Sequence, residues 1–309
     1  MQRLRTWQLF VVCVLVWGTT WHAITYQLAD FPAEFGVALR FALAGGGALA
    51  VARWRGDRLA FATADHAALA LQGTFLYGLA YVAVYQAERF VPSGLVAVGY
   101  SASPLVSGIG AALLFGAPFG GRFAVGGLCG LGGVALMFWP EIRQHDGASG
   151  ARFGAAFTAV AVLLSAIGSL VASRNRKRGV PLLPAIGYGM LYGAVAATIV
   201  AVAIGEGRAL APPSASSWWL SLVYLAFAGS VLAFACFLTL QDRVGVGRAG
   251  TVGVMTPLLA LIVSLLLEGF RPTALTAAGA ALAVSGNALM LLPARLRRRA
   301  ATAAAPEAG

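Results

Sequence analysis

Residues 94–140 and 247–293 are the same passage written twice, 153 positions apart and without a gap. Fourteen of the 47 aligned positions are identical, and these include two proline pairs and four glycine pairs. Apolar composition inflates leucine and alanine matches, but it does not place prolines and glycines in register. The chain is therefore a duplicated unit, and its fold has to accommodate two related halves.

The composition indicates a membrane protein. Hydrophobic residues make up 59% of the chain and charged residues 11%, against roughly 45–50% and about 25% in soluble domains. Apolar runs close to the ~20 residues that span a bilayer recur along the whole chain. We therefore predict an all-α integral membrane fold of ten transmembrane helices, at 7–28, 34–52, 67–87, 92–115, 122–139, 153–173, 184–205, 218–239, 248–268 and 273–292.

Five spans in each half predict an inverted arrangement. Because five is odd, the second half enters the bilayer from the opposite side, and two inverted five-helix repeats would surround a central cavity. Pro104 and Pro257 fall near the middle of the fourth and ninth spans, where they pack as simple kinks or shape the cavity as hinges. The predicted organisation is a first repeat at 1–140, a periplasmic loop at 141–152, a second repeat at 153–293 and a basic, Ala-rich cytoplasmic tail at 294–309.

The positive charge predicts an orientation. With the N-terminus placed in the cytoplasm, sixteen Lys and Arg residues fall on the inner side and five on the outer side, with Arg40 inside a span. This bias is typical of a bacterial inner-membrane protein with both termini in the cytoplasm. The net charge of +11 therefore sets topology and contacts anionic lipid, and we expect no nucleic-acid partner.

Four passages resemble a known family. They are Trp17–Trp21 (WGTTW), Pro32 to Phe41, Pro92 to Gly116 with its Ser103-Pro104-Leu105, and Asp242 to Gly269 with its Thr256-Pro257-Leu258. Together they resemble the drug/metabolite transporter superfamily, in its EamA-type, ten-helix branch. The resemblance implies a basket of two inverted five-helix bundles and a function similar to that of exporters of aromatic and other amino acids. The family's Gly-Glu order reads Glu268-Gly269 here, which weakens any role for this carboxylate.

Two ionisable side chains lie deep in the predicted spans, His22 and Arg40. From the span limits they are roughly 7 Å and 4–5 Å outward of the midplane, at ~1.5 Å per residue. A charge at such depth costs about 2.5–3.5 kcal/mol on insertion scales, so it is a functional candidate. Arg40 either reaches the surface or a broken backbone carbonyl, or binds a substrate carboxylate. His22 is either a neutral core imidazole or a proton relay.

Aromatic and hydroxyl side chains predict the wall of the cavity. Tyr77, Tyr81 and Tyr85 recur every four residues and would share one helix face, and buried tyrosine hydroxyls need partners that a wet cavity provides. Helix packing is the alternative for each. The predicted substrate-binding residues are Trp17, Trp21, His22, Arg40, Tyr77, Tyr81, Tyr85, Tyr100, Ser101, Ser103, Thr251 and Thr256, with Pro104 and Pro257 shaping the cavity.

These features predict a transporter rather than an enzyme. We expect export of small amphipathic metabolites, amino acids among them, by alternating access. The acids, Glu34, Glu88 and Glu268, sit at outer span ends or in a loop, which leaves His22 alone and favours a facilitator or exchanger. A proton-coupled carrier of drugs or other metabolites is the alternative, and an intramembrane hydrolase using Ser103 and His22 is a remote one.

We expect neither a cofactor nor a metal. Cys13, Cys129 and Cys236 all fall within spans and are spread along the chain, which is not the spacing of a metal site or a disulfide framework. The expected partners are a small-molecule substrate and membrane lipid, with a monomer as the functional unit.

The charge bias generates a topology prediction. A reporter active only in the cytoplasm should be active when fused after Gly179, and inactive when fused within the 140–152 loop. The measurement is a pair of complementary reporter activities in intact bacteria. Periplasmic reporter activity at Gly179 would contradict both the orientation and the inverted-repeat prediction.

Overall fold

The computed structural model describes residues 4–28, 31–116, 120–144, 149–206, 213–244 and 252–291. All regular structure in these ranges is helical. Thr251, residues 145–148 of the predicted 141–152 loop and the 294–309 tail lie outside them, while residues 141–144 and 149–152 are helical. The helices are α1 Thr6–Thr25, α2 Ala33–Trp54, α3 Thr63–Glu88, α4 Ser93–Phe115, α5 Gly121–Gln144, α6 Ser149–Lys177, α7 Leu182–Ala203, α8 Ser216–Val223 continuing through Ala233–Val244, α9 Val252–Leu267 and α10 Ala274–Leu291.

Helix length and composition confirm the membrane architecture. Eight helices, α1 to α8, are long and apolar enough to cross a bilayer, and two shorter apolar helices follow at Val252–Leu267 and Ala274–Met290. All ten lie within a few residues of the predicted spans. The relation of the two halves by inversion stays a prediction.

Side-chain contacts show which helix ends lie together. The end of α6 meets the start of α3, where Asn175 Nδ2 donates to Gln72 Oε1 at 2.9 Å. The end of α8 reaches the chain just before α1, where Arg243 donates to the Leu4 carbonyl at 2.5 Å. We call this end of the bundle the N-terminal face. The ends of α1 and α9 meet the start of α4 at the other end, the opposite face, where Ser93 contacts Glu268.

Three helices are irregular in their middle. α3 has π-helical turns at Thr74–Leu79, α8 has them at Tyr224–Leu232, and α4 has a 3₁₀ turn at Tyr100–Ala102. The α4 turn directly precedes Pro104, which has no N–H to give to the Tyr100 carbonyl. Such local breaks often mark functional positions in helices, and here all three helices border the same cavity.

Glycines bring α5 and α10 into backbone contact. A Cβ added at Gly126 or Gly133 would meet backbone atoms of α10 closer than 3.0 Å, and one at Gly279 or Gly286 would meet backbone atoms of α5 equally closely. The contacts are reciprocal: Gly126 faces Gly286, while Gly133 faces Gly279. The duplication aligns Gly126 with Gly279 and Gly133 with Gly286. A two-fold relation between the two helices produces this pattern.

This packing generates a stability prediction with a neighbouring control. Gly133→Ala should lower the free energy of unfolding by about 1–3 kcal/mol, because overpacking forces the helix backbones apart. Gly132→Ala, whose Cβ meets nothing within 4 Å, should be neutral or slightly stabilising because alanine favours the helix. Thermal unfolding of the detergent-solubilised variants measures the difference. Equal melting temperatures for the two variants would contradict the close α5–α10 contact.

Candidate functional site

A central cavity of about 290 Å³ lies between the helices. Its wall comes from α1, α2, α3, α4, α8, α9 and α10, and it is mostly apolar. The predicted residues that line it are Trp17, Trp21, Arg40, Tyr81, Tyr100, Ser103, Pro104, Thr256 and Pro257. His22, Tyr77, Tyr85 and Ser101 lie outside the wall, and Thr251 is not among the described residues.

Arg40 supplies the charge in this wall. Its side chain is 2% exposed, so it does not reach the surface, as one predicted alternative required. The guanidinium carbon lies 4.7 Å from the centre of the Tyr81 ring. Nε and Nη1 have no hydrogen-bond partner among the described residues. A buried guanidinium with unused donors beside a cavity is suited to bind a carboxylate.

Aromatic rings form the body of the cavity, and their polar groups are already bonded. Trp17 donates its indole N–H to the Gly229 carbonyl at 3.0 Å, and Tyr100 pairs with Ser165 Oγ at 3.1 Å. Trp21 packs edge-on against Tyr100 with ring centres 5.2 Å apart. Since these partners fix the rings, their faces present a preformed apolar surface.

Of the three tyrosines that recur every four residues along α3, one lies in the cavity wall and two lie in the core. Only Tyr81 lines the cavity. Tyr77 is 2% exposed and packs 5.5 Å from the Phe41 ring, whereas the Tyr85 hydroxyl donates to Gln27 Oε1 at 2.9 Å. The π-helical turns at 74–79 add residues to the turn, so positions four apart no longer align across them.

Sequence reasoning missed Asn287 as a cavity residue. It lies on α10, is 2% exposed and lines the cavity. Nδ2 donates to the Gly253 carbonyl at 3.3 Å, and Oδ1 has no partner among the described residues. The signal was present, because an amide inside the apolar run 273–292 is costly unless it is paired, but the predicted substrate-binding residues were ionisable, aromatic or hydroxyl-bearing and included no amide.

His22 is not alone, contrary to the sequence-based expectation. Its Nδ1 lies 3.0 Å from Glu268 Oε1, and both side chains are 14% exposed. Glu268 also accepts from the Ser93 backbone N–H at 3.0 Å, from Ser93 Oγ, and from Ser264 Oγ at 2.8 Å. The predicted weak role of Glu268 is therefore wrong structurally, because this carboxylate joins α1, α4 and α9.

Further carboxylates gather at the opposite face. Glu88, predicted in a loop, is the last residue of α3 and is 9% exposed. Glu34 is 2% exposed and accepts from Gln86 Nε2 at 2.7 Å. Burial and the nearby Glu34 carboxyl raise the pKa of Glu206, which follows α7, to about 7. One carboxyl at this face, that of Glu206, therefore has a pKa close to neutral pH.

The two ends of the cavity differ in packing. At the opposite face a Cβ on Gly94 of α4 would lie 2.9 Å from Ser264 Cβ and 3.1 Å from Leu261 Cα, so α4 and α9 are in close contact. Toward the N-terminal face, Gly253 of α9 lines the cavity, is exposed, and has nothing within 4 Å of its Cβ position. The close contact between α4 and α9 therefore bounds the cavity at the opposite face, whereas no such helix contact bounds it at Gly253.

An all-helical bundle of membrane-spanning length around a mostly apolar central cavity defines a membrane transporter. The sequence model of the EamA-like transporter family matches residues 5–139 and again 152–292. The chain belongs to the EamA-like transporter family. The same family model therefore matches the chain twice in succession.

Similar proteins agree with this assignment. The chain is 28% identical over 260 residues to the Escherichia coli K12 protein named uncharacterized inner membrane transporter YedA, covering 82% of this chain and 80% of that protein. The YedA proteins of two other Escherichia coli strains match equally well. A solved crystal structure has the same fold at 20% identity, with a TM-score of 0.65 over 95% of this chain and 97% of the other.

The different positions of Tyr77 and Tyr81 generate a paired prediction. Tyr81→Ala should lower transport of aromatic solutes more than that of small aliphatic solutes, because it removes a ring from the cavity wall. Tyr77→Ala should instead lower the free energy of unfolding by about 3–5 kcal/mol, the cost of removing a buried ring. Transport per folded molecule and the melting temperature measure the two effects. A Tyr77→Ala variant with the same selectivity change as Tyr81→Ala would contradict the assignment.

Proposed function

We propose that this protein exports small amphipathic metabolites, most specifically amino acids including aromatic ones, across the bacterial inner membrane. The observation that carries the proposal is the buried Arg40, whose guanidinium has unused donors in an aromatic cavity. The name of the similar YedA proteins, inner membrane transporter, supports the location. It says nothing of a substrate.

The charge balance of the cavity favours an anionic group on the solute. Among the described lining residues, Arg40 carries the formal charge at neutral pH. An unpaired charge in a low-dielectric site is costly, so a ligand carboxylate that pairs with it gains more than it would in water. The planar guanidinium binds a carboxylate through two parallel hydrogen bonds.

The rest of the wall suits a flat apolar body. Trp17, Trp21, Tyr81, Tyr100 and Phe234 surround the cavity, and aromatic rings pack edge-on or offset against one another with a gain of about 0.5–1.5 kcal/mol. The volume of about 290 Å³ lies at the small end of the roughly 300–1,000 Å³ usual for ligand sites. A single amino acid with an aromatic side chain matches both properties.

Asn287 gives the far end of the cavity a hydrogen-bond acceptor. Arg40 lies seven residues from the start of α2, at the opposite face, and Asn287 lies four residues from the end of α10, at the N-terminal face. With a rise of ~1.5 Å per residue in a ~30 Å bilayer, the two residues differ in membrane depth by roughly 14 Å. A solute bound by its carboxylate at Arg40 would point its ring toward Asn287. The unpartnered Oδ1 would then accept from a phenol O–H or an indole N–H.

The transport cycle that we propose is alternating access, with the solute moving down its own gradient or in exchange. Pro104 of α4 and Pro257 of α9 both line the cavity and are the hinge candidates. In the predicted orientation the N-terminal face is cytoplasmic, so an exporter would load its solute from the end of the cavity at Gly253, where no close helix contact bounds it. A monomer contains the whole cavity, and the surrounding partner is membrane lipid.

Proton-coupled efflux is the second candidate. It is favoured by one observation, the contact between His22 and Glu268 at 3.0 Å. This contact supplies a buried titratable pair, which the facilitator prediction assumed to be missing. An imposed pH gradient that drives substrate above its equilibrium concentration would favour this candidate over the facilitator.

The proposed substrate class is tested by flux in proteoliposomes with tyrosine and phenylalanine, which differ by one hydroxyl. The wild-type protein should transport both, with tyrosine favoured. Asn287→Leu should abolish the preference and leave phenylalanine transport unchanged, because only the phenol loses its acceptor. Arg40→Gln should lower transport of both by at least about tenfold, which corresponds to about 1.4 kcal/mol.

Two controls make the test decisive. Amino-acid amides lack the carboxylate, so the Arg40→Gln variant should transport them at the same rate as the wild-type protein. Gly132→Ala, which contacts nothing, should behave as wild type throughout. Absence of flux for every amino acid in the wild-type protein would contradict the proposed substrate class.

A further inference from the structure

We propose that His22 and Glu268 form a proton-binding site that locks the opposite end of the cavity. The site lies beyond the wall that holds the solute, since neither residue lines the cavity. The proposal rests on the alternating-access cycle proposed above and not on the substrate class, and it holds for any solute that the cavity accepts.

The four hydrogen bonds to Glu268 show what the site holds together. The donors are His22 on α1, the backbone and side chain of Ser93 on α4, and Ser264 on its own helix α9. The Ser93 backbone N–H donates to the carboxyl, and the Ser93 hydroxyl, the Ser264 hydroxyl and His22 Nδ1 lie at hydrogen-bond distance from it. We assign all four as donors to an ionised carboxylate, with the hydrogen of His22 on Nδ1. A single carboxylate therefore connects three helices that border the cavity.

The position of this network makes it a lock. Ser93 precedes Gly94, the residue whose backbone packs against Ser264 and Leu261 of α9. Solute can leave by this end only if the start of α4 and the end of α9 separate. Separation breaks the bonds from Ser93, and movement of α1 away from α9 breaks the bond from His22. The hydrogen bonds of Glu268 and the contact of Gly94 with α9 therefore form and break together.

A proton strengthens the lock. Protonation of His22 gives this side chain a positive charge, so its hydrogen bond to the ionised Glu268 also becomes an ion pair with added Coulombic attraction. The joined arrangement then gains stability that the separated arrangement does not have. By linkage, a proton bound preferentially to the joined arrangement shifts the protein toward it. Acid on the opposite face should therefore keep this end closed, and higher pH should let it open.

Other titratable side chains lie near the pair of His22 and Glu268. From α1, Tyr26 packs edge-on to His22 with ring centres 5.3 Å apart. From α3, Glu88 is close enough for its charge to interact with that of Glu268, and Arg40 of α2 interacts with Glu88 in turn. Within α4 the titratable residue is Tyr100, which faces the cavity, and neither α9 (Val252–Leu267) nor α10 (Ala274–Leu291) contains an ionisable residue.

The test measures opening directly and needs no substrate. Thr20, a conservative site for cysteine, lines the cavity two residues before His22 and is 6% exposed. With the three native cysteines replaced, Thr20→Cys is labelled by a membrane-impermeant thiol reagent added at the opposite face. Labelling is divided by that of Arg89→Cys, an exposed position at the same face, which removes the intrinsic effect of pH on thiol reactivity.

The expected result is a loss of labelling on acidification that depends on both residues. Relative labelling of Thr20→Cys should fall roughly five- to tenfold from pH 8 to pH 6, the range typical of linked equilibria. Adding Glu268→Gln or His22→Gln should abolish this pH dependence and leave labelling high, because neither variant can form the charged pair. Glu206→Gln should retain the dependence, although Glu206 titrates near neutral pH.

Three outcomes would overturn the proposal. The first is relative labelling that does not change with pH in the otherwise wild-type protein. The second is a pH response that survives in both Glu268→Gln and His22→Gln. The third is a response lost in Glu206→Gln alone, which would assign the proton to the Glu34 and Glu206 carboxyls. Since no solute is present, none of these results depends on the proposed export of amino acids.

Discussion

Hydrocarbon cannot hydrogen-bond a peptide group, and this constraint determines the structure. Every span has to satisfy its own backbone, so apolar runs of this length become helices whatever their local propensity. Irregular backbone is tolerated at membrane depth only where it is buried in protein or borders a cavity. The π-helical turns of α3 and α8 and the 3₁₀ turn of α4 occur on helices that form the cavity wall. The breaks in regular structure therefore mark the functional centre.

With no hydrophobic effect to drive helices together in lipid, association depends on close contact. Glycine supplies that contact at two different kinds of position. Between α5 and α10 the reciprocal pairs Gly126–Gly286 and Gly133–Gly279 fix two helices rigidly. At Gly94 the contact between α4 and α9 closes one end of the cavity, and a helix pair that opens during transport needs a bond that can be made and broken. The polar network of Glu268 provides one beside it.

The sequence predicted the spans and most of the cavity wall, because hydrophobicity and periodicity report on single helices. Trp17, Trp21, Tyr81 and Tyr100 line the cavity, and their role in binding substrate stays a prediction. Tyr77 does not line it, since the π-helical turns at 74–79 change which residues share a face and leave no mark in an apolar sequence. Tyr85 lies on the same regular helix segment as Tyr81 but donates to Gln27 in the core.

The contact of His22 with Glu268 could not have been predicted from one sequence, because 246 residues separate the two. Span position alone placed Glu268 at a helix end, where a carboxylate usually meets water or headgroups. Tertiary packing instead brings His22 and the Ser93 donors to it, and Ser264 donates from one turn earlier on α9, so the end of this helix becomes a partly buried polar junction.

Arg40 and Glu268 place opposite charges at successive depths on the route through the protein. In the proposed cycle, a solute carboxylate bound to Arg40 neutralises the charge of the cavity. Glu268 lies between the cavity and the opposite face, and its negative charge repels the same carboxylate as long as His22 is neutral. Protonation of His22 cancels the charge of Glu268 and at the same time locks the gate. A carrier built in this way closes behind a released anion when the outside is acidic, which hinders its return.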